Sequence, residues 1–110
     1  MYNFELMDEE EIVEIFEDIF VKQDDNEKET TIVLTNKRML FLDYDKNDPN
    51  EIMRIGRGVE YLRYKEIYYT INLCDIEEII LDKFYKLILK NGIYFEFEDE
   101  TLYKLLNKNI

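Results

Sequence analysis

Apolar and polar residues alternate most regularly between residues 93 and 98. Ile93, Phe95 and Phe97 fall on one face of an extended chain, and more polar residues separate them. A period of two residues is typical of a β-strand with one buried and one solvated face. The preceding run, residues 85–90, places Leu87 and Leu89 on one face. The two runs therefore predict a pair of antiparallel strands.

Tight turns are predicted where two short polar pairs interrupt the apolar runs. Asn91-Gly92 is typical of a type I′ hairpin, in which both central residues need a positive φ. Asn36-Lys37 separates another pair of predicted strands in the same way. The strands that we predict from composition and alternation cover residues 30–35, 38–44, 67–73 and 77–81.

The end of the chain changes to a helical period. Leu102, Leu105 and Leu106 fall on one face of a helix over residues 99–109. Asp99 is suited to cap the N-terminus of that helix. We therefore predict one short amphipathic helix after the last strand.

Residues 8–22 support two interpretations. Their apolar residues recur at helical spacing, and Asp8 with Glu11 would form a capping box. Residues 18–22 also match a strand that a polar loop joins to residues 30–35. We predict a strand over residues 18–22 and leave residues 12–16 open between helix and strand.

Composition indicates one acidic domain. The chain has 110 residues, of which 46% are apolar, and this suits a single hydrophobic core. The net charge is −12, and residues 1–29 hold most of it, with twelve acids and two lysines. Such a surface repels nucleic-acid phosphates and anionic lipid and suits a basic protein partner. We expect a cytoplasmic protein, because Cys74 is the only cysteine and no secretion signal is evident.

The residue types needed for catalysis are scarce. Histidine is absent, and one cysteine cannot form a zinc site. Residues 43–47 begin like a calcium loop, but Asp48 and Arg54 stand where that loop needs glycine and glutamate. The sequence contains no glycine-rich phosphate loop. We therefore expect no enzymatic activity, no cofactor and no metal site.

One long connection, residues 45–66, carries local positive charge. It contains the only proline and two of the three glycines of the chain. We predict it as an inter-strand loop whose basic side chains are candidate ligands for a phosphate or an acidic partner. These residues are Arg54, Arg57, Arg63 and Lys65.

Two segments resemble the pleckstrin-homology-like superfamily, particularly its GRAM and bacterial PH-like members. Residues 31–41, which contain Thr-Asn-Lys-Arg at 35–38, resemble a strand–TNKR–strand hairpin of those domains. Residues 71–79, Ile-Asn-Leu-Cys-Asp-Ile-Glu-Glu-Ile, resemble the step between their fourth and fifth strands. The closing pattern, residues 90–106, also fits.

The resemblance implies a mainly β-fold in one PH-like domain over residues 1–110. It implies a barrel of two orthogonal antiparallel sheets, about seven strands in all, capped by a C-terminal α-helix. Residues 1–10 would form a flexible N-terminal extension. In lipid-binding members, basic residues on the first two strands and their loop bind an inositol phosphate. Here that loop, residues 23–29, is net negative, so we expect no such lipid binding.

The fold hosts many ligands, so the function must come from the residues. We expect a non-enzymatic binding module for a protein partner, or for a second copy in a homo-oligomer. Two alternatives stay open. One is weak binding of an anionic ligand or a membrane surface through residues 45–66. The other is an acidic decoy that occupies the nucleic-acid site of a basic protein. We expect no direct binding of nucleic acid.

Overall fold

The computed structural model describes residues 2–44 and 65–110. They form strands and one α-helix, which in chain order are β1 (Tyr2–Asn3), β2 (Ile12–Gln23), β3 (Asn26–Thr35), β4 (Arg38–Tyr44), β5 (Lys65–Asn72), β6 (Ile76–Leu81), β7 (Tyr85–Leu89), β8 (Tyr94–Phe97) and α1 (Glu100–Asn109). A 3-10 turn, Leu73–Asp75, joins β5 to β6. No helix in these two ranges is long and apolar enough to span a membrane.

All eight strands belong to one open sheet, in the order β1-β5-β4-β3-β2-β8-β7-β6. Neighbouring strands are antiparallel, except that β1 is parallel to β5. The prediction of a mainly β-fold with a C-terminal helix is therefore confirmed. Strands β1 to β5 and strands β6 to β8 form one sheet, because Lys22 of β2 lies opposite Glu96 of β8.

The sheet is strongly curled. Tyr69 of β5 and Phe95 of β8 are four strand spacings apart in the sheet order, which is about 19 Å in a flat sheet at about 4.8 Å per spacing. Their ring centroids are nevertheless 5.2 Å apart. Only a sheet that curves back on itself brings the two rings together, so both halves share one core.

The C-terminal helix completes that core. Asp99 caps α1 as predicted, and its side chain accepts a hydrogen bond from the Leu102 amide at 2.8 Å. Leu102 and Leu106 are fully buried in the main cluster. Tyr103 stacks on Tyr85 of β7 with ring centroids 4.5 Å apart. The apolar stripe of the helix therefore faces the inside of the curled sheet.

The hairpin formed by β3 and β4 is buried on both faces. One set of its side chains joins the main core, namely Ile32, Leu34, Met39 and Phe41. The alternate set forms a second cluster, namely Val33, Leu40 and Leu42, against which Phe4, Ile15 and Ile67 pack. Burial on both faces explains why these two strands have continuous apolar runs instead of a strict alternation.

Residues 12–16 are strand, and the helical interpretation of residues 8–22 is wrong. β2 pairs with β3 from Ile12, opposite Thr35, to Gln23, opposite Asn26. The backbone groups of β2 find partners in the neighbouring strand, and tertiary pairing therefore overrides the local helical spacing. The predicted capping box does not form, because no helix begins there.

The turn between β3 and β4 holds the segment that precedes β2. Asn36 accepts a hydrogen bond from the Glu11 amide at 2.8 Å and donates one to the Glu9 carbonyl at 3.1 Å. The Lys37 ammonium donates to the Asp8 carbonyl at 2.8 Å. This part of the predicted flexible extension is therefore held against the hairpin.

A buried carboxylate lies at the centre of these contacts. Both oxygens of Glu10, whose side chain is fully buried, accept two hydrogen bonds each. The donors are the Met7 amide, the Thr35 hydroxyl and two nitrogens of Arg38, at 2.6–3.0 Å. Arg38 also donates to the Glu5 carbonyl at 2.7 Å. The paired guanidinium and carboxylate thus connect the N-terminal segment to β4.

Burial alone would raise the pKa of Glu10, but the four hydrogen bonds stabilise its charged form more strongly. Together they lower the pKa of Glu10 from 4.5 to about 2. A carboxyl group whose pKa is lowered by folding contributes stability above its unfolded pKa. That contribution is lost as the pH falls from about 4.5 towards 2.

The turn between β7 and β8 differs from the predicted type I′ geometry. Gly92 has a φ of +92°, but Asn91 is not among the residues with positive φ. The Gly92 amide donates to the Leu89 carbonyl, and the Leu89 amide donates to the Ile93 carbonyl, both at 2.9 Å. The loop is therefore one residue longer than predicted, with Lys90 and Asn91 in the turn and glycine closing it.

Replacing Gly92 should destabilise the fold through the backbone alone. A valine at this φ is strained, although its Cβ would meet no atom within 4 Å. We expect Gly92→Val to lower the free energy of unfolding by about 1–3 kcal/mol, measured by urea denaturation. Gly92→Asn should cost less, because asparagine tolerates positive φ. Equal stability of Gly92→Val and the unmodified protein would contradict this turn geometry.

Removing the buried charge should destabilise the fold and change its response to acid. We expect Glu10→Gln to lower the free energy of unfolding at neutral pH by about 3 kcal/mol, because Arg38 would lose its charged partner. The variant should also lose part of the decline in stability between pH 4.5 and 2. Glu11→Gln, the same change at the exposed neighbouring side chain, is the control and should have little effect. Matching pH profiles for Glu10→Gln and the unmodified protein would show that Glu10 carries no such linkage.

Candidate functional site

The candidate site is a groove between β2, β8 and the start of α1. Its volume is about 430 Å³, which lies within the range of about 300–1,000 Å³ typical of ligand sites. The residues that line it are Asp18, Ile19, Phe20, Lys22, Glu27, Phe84, Glu96, Phe97, Glu98 and Asp99. We call this set the acidic groove.

The acidic groove exists because β2 and β8 pair over a very short distance. In the described part of the chain, Lys22 opposite Glu96 is the only register pair that joins them. One residue beyond Glu96 the strand β8 ends, and the chain turns into α1 after Asp99. β2 runs the other way, through Phe20 towards its start. The two backbones separate from this junction, and the groove occupies the space between them.

A β-bulge in β2 shapes one wall of the groove. The pairing of β2 with β3 shifts register between Phe16 and Ile19, and Asp18 within this shift has a φ of +58°. Aspartate is one of the few residues that tolerate this left-handed backbone. Bulges bend a strand and redirect side chains. Here the bulge places Asp18 on the groove and leaves Ile19 buried below it.

The charges of the groove are strongly one-sided. Of the ten described residues that line it, five are acids and Lys22 is the only base. Lys22 lies opposite Glu27 on β3 and opposite Glu96 on β8, so acids flank it on both sides. Asp18 is four residues before Lys22 on β2, and Glu98 is two residues beyond its partner Glu96. Both acids are exposed. The groove therefore presents unbalanced negative charge to a ligand.

An exposed aromatic residue provides the apolar part of the groove. Phe20 is 53% exposed, because it points to the outer face of β2 while its neighbours Ile19 and Val21 point inward and are buried. Phe84, in the turn between β6 and β7, is half-buried and lines the same groove. Exposed aromatic residues beside a cavity are typical of binding surfaces. The groove thus combines an apolar floor with acidic walls.

Of the four basic residues predicted as ligand-binding, the structure describes only Lys65. Arg54, Arg57 and Arg63 lie outside the described residues. Lys65 is the first residue of β5, where its register partner is Tyr2. The sheet order places β5 three strands away from β2, on the opposite side from β8. Lys65 is therefore not among the residues that line the acidic groove.

Of the four tyrosines near the long connection, the structure describes two, Tyr68 and Tyr69. Tyr61 and Tyr64 lie outside the described residues. Tyr69 packs against the main core, and Tyr68 is 44% exposed with the Lys28 ammonium 4.2 Å from its ring centroid. Partial burial raises the pKa of the Tyr68 phenol. A hydrogen bond with Thr30 and the charge of Lys28 offset part of this rise in pKa. These contacts indicate packing on the sheet.

Sequence reasoning missed the acidic groove, because its acids come from three separate parts of the chain. The one available signal was Phe20, which a strand over residues 18–22 places on the outward side between acidic neighbours. The likeness to PH-like domains rests on short motifs, and wider comparisons do not extend it. No family model, no curated protein and no solved structure matches this chain.

Proposed function

We propose that this protein is a non-enzymatic binding module whose acidic groove binds a basic, partly apolar segment of a partner protein. The observation that carries the proposal is the combination of Phe20, 53% exposed, with five acids around one cavity. Burial of an apolar side chain on Phe20 would supply affinity. The acids would select a basic segment and speed its association.

We also propose that the curled sheet and its helix form a PH-like barrel. Two observations support this assignment. The Thr-Asn-Lys-Arg motif lies at the turn between β3 and β4, and the 71–79 motif covers the 3-10 turn between β5 and β6. Both positions agree with the resemblance. An experimental structure with two orthogonal sheets would support the assignment, and a flat sheet would contradict it.

The charge of Asp18 provides a sharp test of the groove. Asp18→Asn removes the charge and keeps a residue that tolerates positive φ. The probe is a fluorescein-labelled short peptide of alternating lysine and leucine, and its binding is measured by fluorescence anisotropy. We expect Asp18→Asn to weaken binding about threefold, since an exposed ion pair contributes about 0.2–1 kcal/mol. Adding Glu98→Gln should weaken binding further.

Asp24→Asn is the matched control. Asp24 is also exposed and has a φ of +59°, but it lies six residues farther along the chain in the turn after β2. That separation is about 20 Å in an extended chain, whereas Asp24 is only about 7 Å from Lys22, just inside the screening length of about 8 Å at physiological salt. Asp24→Asn should therefore weaken binding of the probe less than Asp18→Asn does. Equal losses in the two variants would indicate a general charge effect and not a site.

Self-association is a second candidate function, and the charge distribution favours it. Residues 52–65 carry Arg54, Arg57, Arg63 and Lys65 against one acid, Glu60. The same sequence in a second copy has the charge that the acidic groove would bind. Hydrogen bonds hold Glu5–Glu11 against the hairpin, so this segment is not free to bind a second copy.

Light scattering at low and high salt tests self-association. We expect a homo-oligomer at low salt that dissociates partly as salt rises, because screening weakens exposed charge pairs. The double variant Asp18→Asn, Glu98→Gln should associate less than the unmodified protein. A monomer at both salt concentrations, at high protein concentration, would contradict the idea.

A further inference from the structure

The backbone of β2 has one occupied and one largely open edge beside the acidic groove. On one edge, Ile19, Phe20 and Val21 pair with β3. On the other edge, in the described residues, strand pairing is limited to Lys22 opposite Glu96. Continued antiparallel pairing would bring Phe20 opposite Glu98, but β8 has already ended at Phe97. Within residues 2–44 and 65–110, a stretch of extended backbone therefore faces the cavity without a neighbouring strand.

We propose that the partner segment binds in the acidic groove as an added β-strand along this open edge of β2. The inference rests on the proposed function of the groove. Exposed strand edges accept extended peptides through main-chain hydrogen bonds, while pockets select alternate side chains. Here the added strand would extend β2 pairing from the point where β8 leaves it.

The dimensions of the groove suit a short extended segment. Asp18 and Lys22, both lining residues, are four residues apart, or about 13 Å at about 3.3 Å per residue. This length accommodates about four residues of an added strand. The bulge at Asp18 ends regular pairing at one end, and the Lys22–Glu96 pair closes the other. The occupant is therefore limited in length by features of β2 itself.

The residues on one face of the groove indicate which side chains the segment carries. Lys22 and its register partner Glu96 share a face of the sheet, and Phe20, two residues from Lys22, lies on the same face. Side chains of the added strand on that face would therefore meet both Phe20 and acids. Phe20 selects an apolar side chain, and Asp18 and Glu98 select lysine or arginine. The inferred partner is a protein segment that combines basic and apolar residues.

Backbone N-methylation of the probe peptide separates this binding mode from simple charge attraction. Each N-methyl group removes one amide donor and leaves the side chains and the net charge unchanged. In a strand, successive amides point to opposite sides, so only alternate positions would face β2. We expect methylation at these positions to weaken binding about tenfold per lost hydrogen bond, and methylation at the positions between to have little effect.

The outcomes distinguish the two proposals. If the parent peptide binds and Asp18→Asn weakens it, but every methylated peptide binds equally well, the groove stands and the added strand is refuted. Equal weakening at all positions also refutes it, since it indicates loss of extended structure in the peptide. If the parent peptide does not bind at low salt, both proposals fail. An alternating pattern of losses, with slower hydrogen exchange in the complex at alternate amides of residues 18–21, would support the added strand.

Discussion

The long strand β2 is shared by both halves of the sheet, and this shared strand determines the arrangement of the rest. It pairs with β3 over its full length and with β8 only near its C-terminal end. The two pairings lie at opposite edges of the same strand, so β2 joins both halves of the sheet, and the sheet curves back on itself to enclose one core. The ring contacts between Phe95 and both Phe41 and Tyr69 follow from that curvature. The acidic groove is the space that remains where the second pairing stops.

The local parts of the fold could be predicted from the sequence. Apolar residues recur every second position around Phe95 and at helical spacing around Leu102. Each pattern reflects burial of one face, and it can be read from the sequence without knowledge of distant contacts. The helix even has the expected cap at Asp99. Gly92 marked a turn correctly, but its geometry differed, because hydrogen bonds of Leu89 closed a longer loop.

The non-local parts could not be predicted in the same way. Nothing in the run Asp-Glu-Glu-Glu at residues 8–11 distinguishes Glu10, which is buried, from its exposed neighbours. Its role depends on Arg38, which only the pairing of distant strands brings into reach. The same holds for the groove, where Asp18 and Glu98 line one cavity because β2 and β8 are adjacent. Spacing along the chain carries no record of such contacts.

The contact between Glu10 and Arg38 also has a consequence for the order of folding during synthesis. The two residues are 28 positions apart, so the carboxylate is synthesised well before its partner. Until the β3–β4 hairpin forms, the segment around Glu10 has no surface on which to dock. Docking of this segment is therefore a late step, and it covers the second apolar face of a hairpin whose own contacts are local.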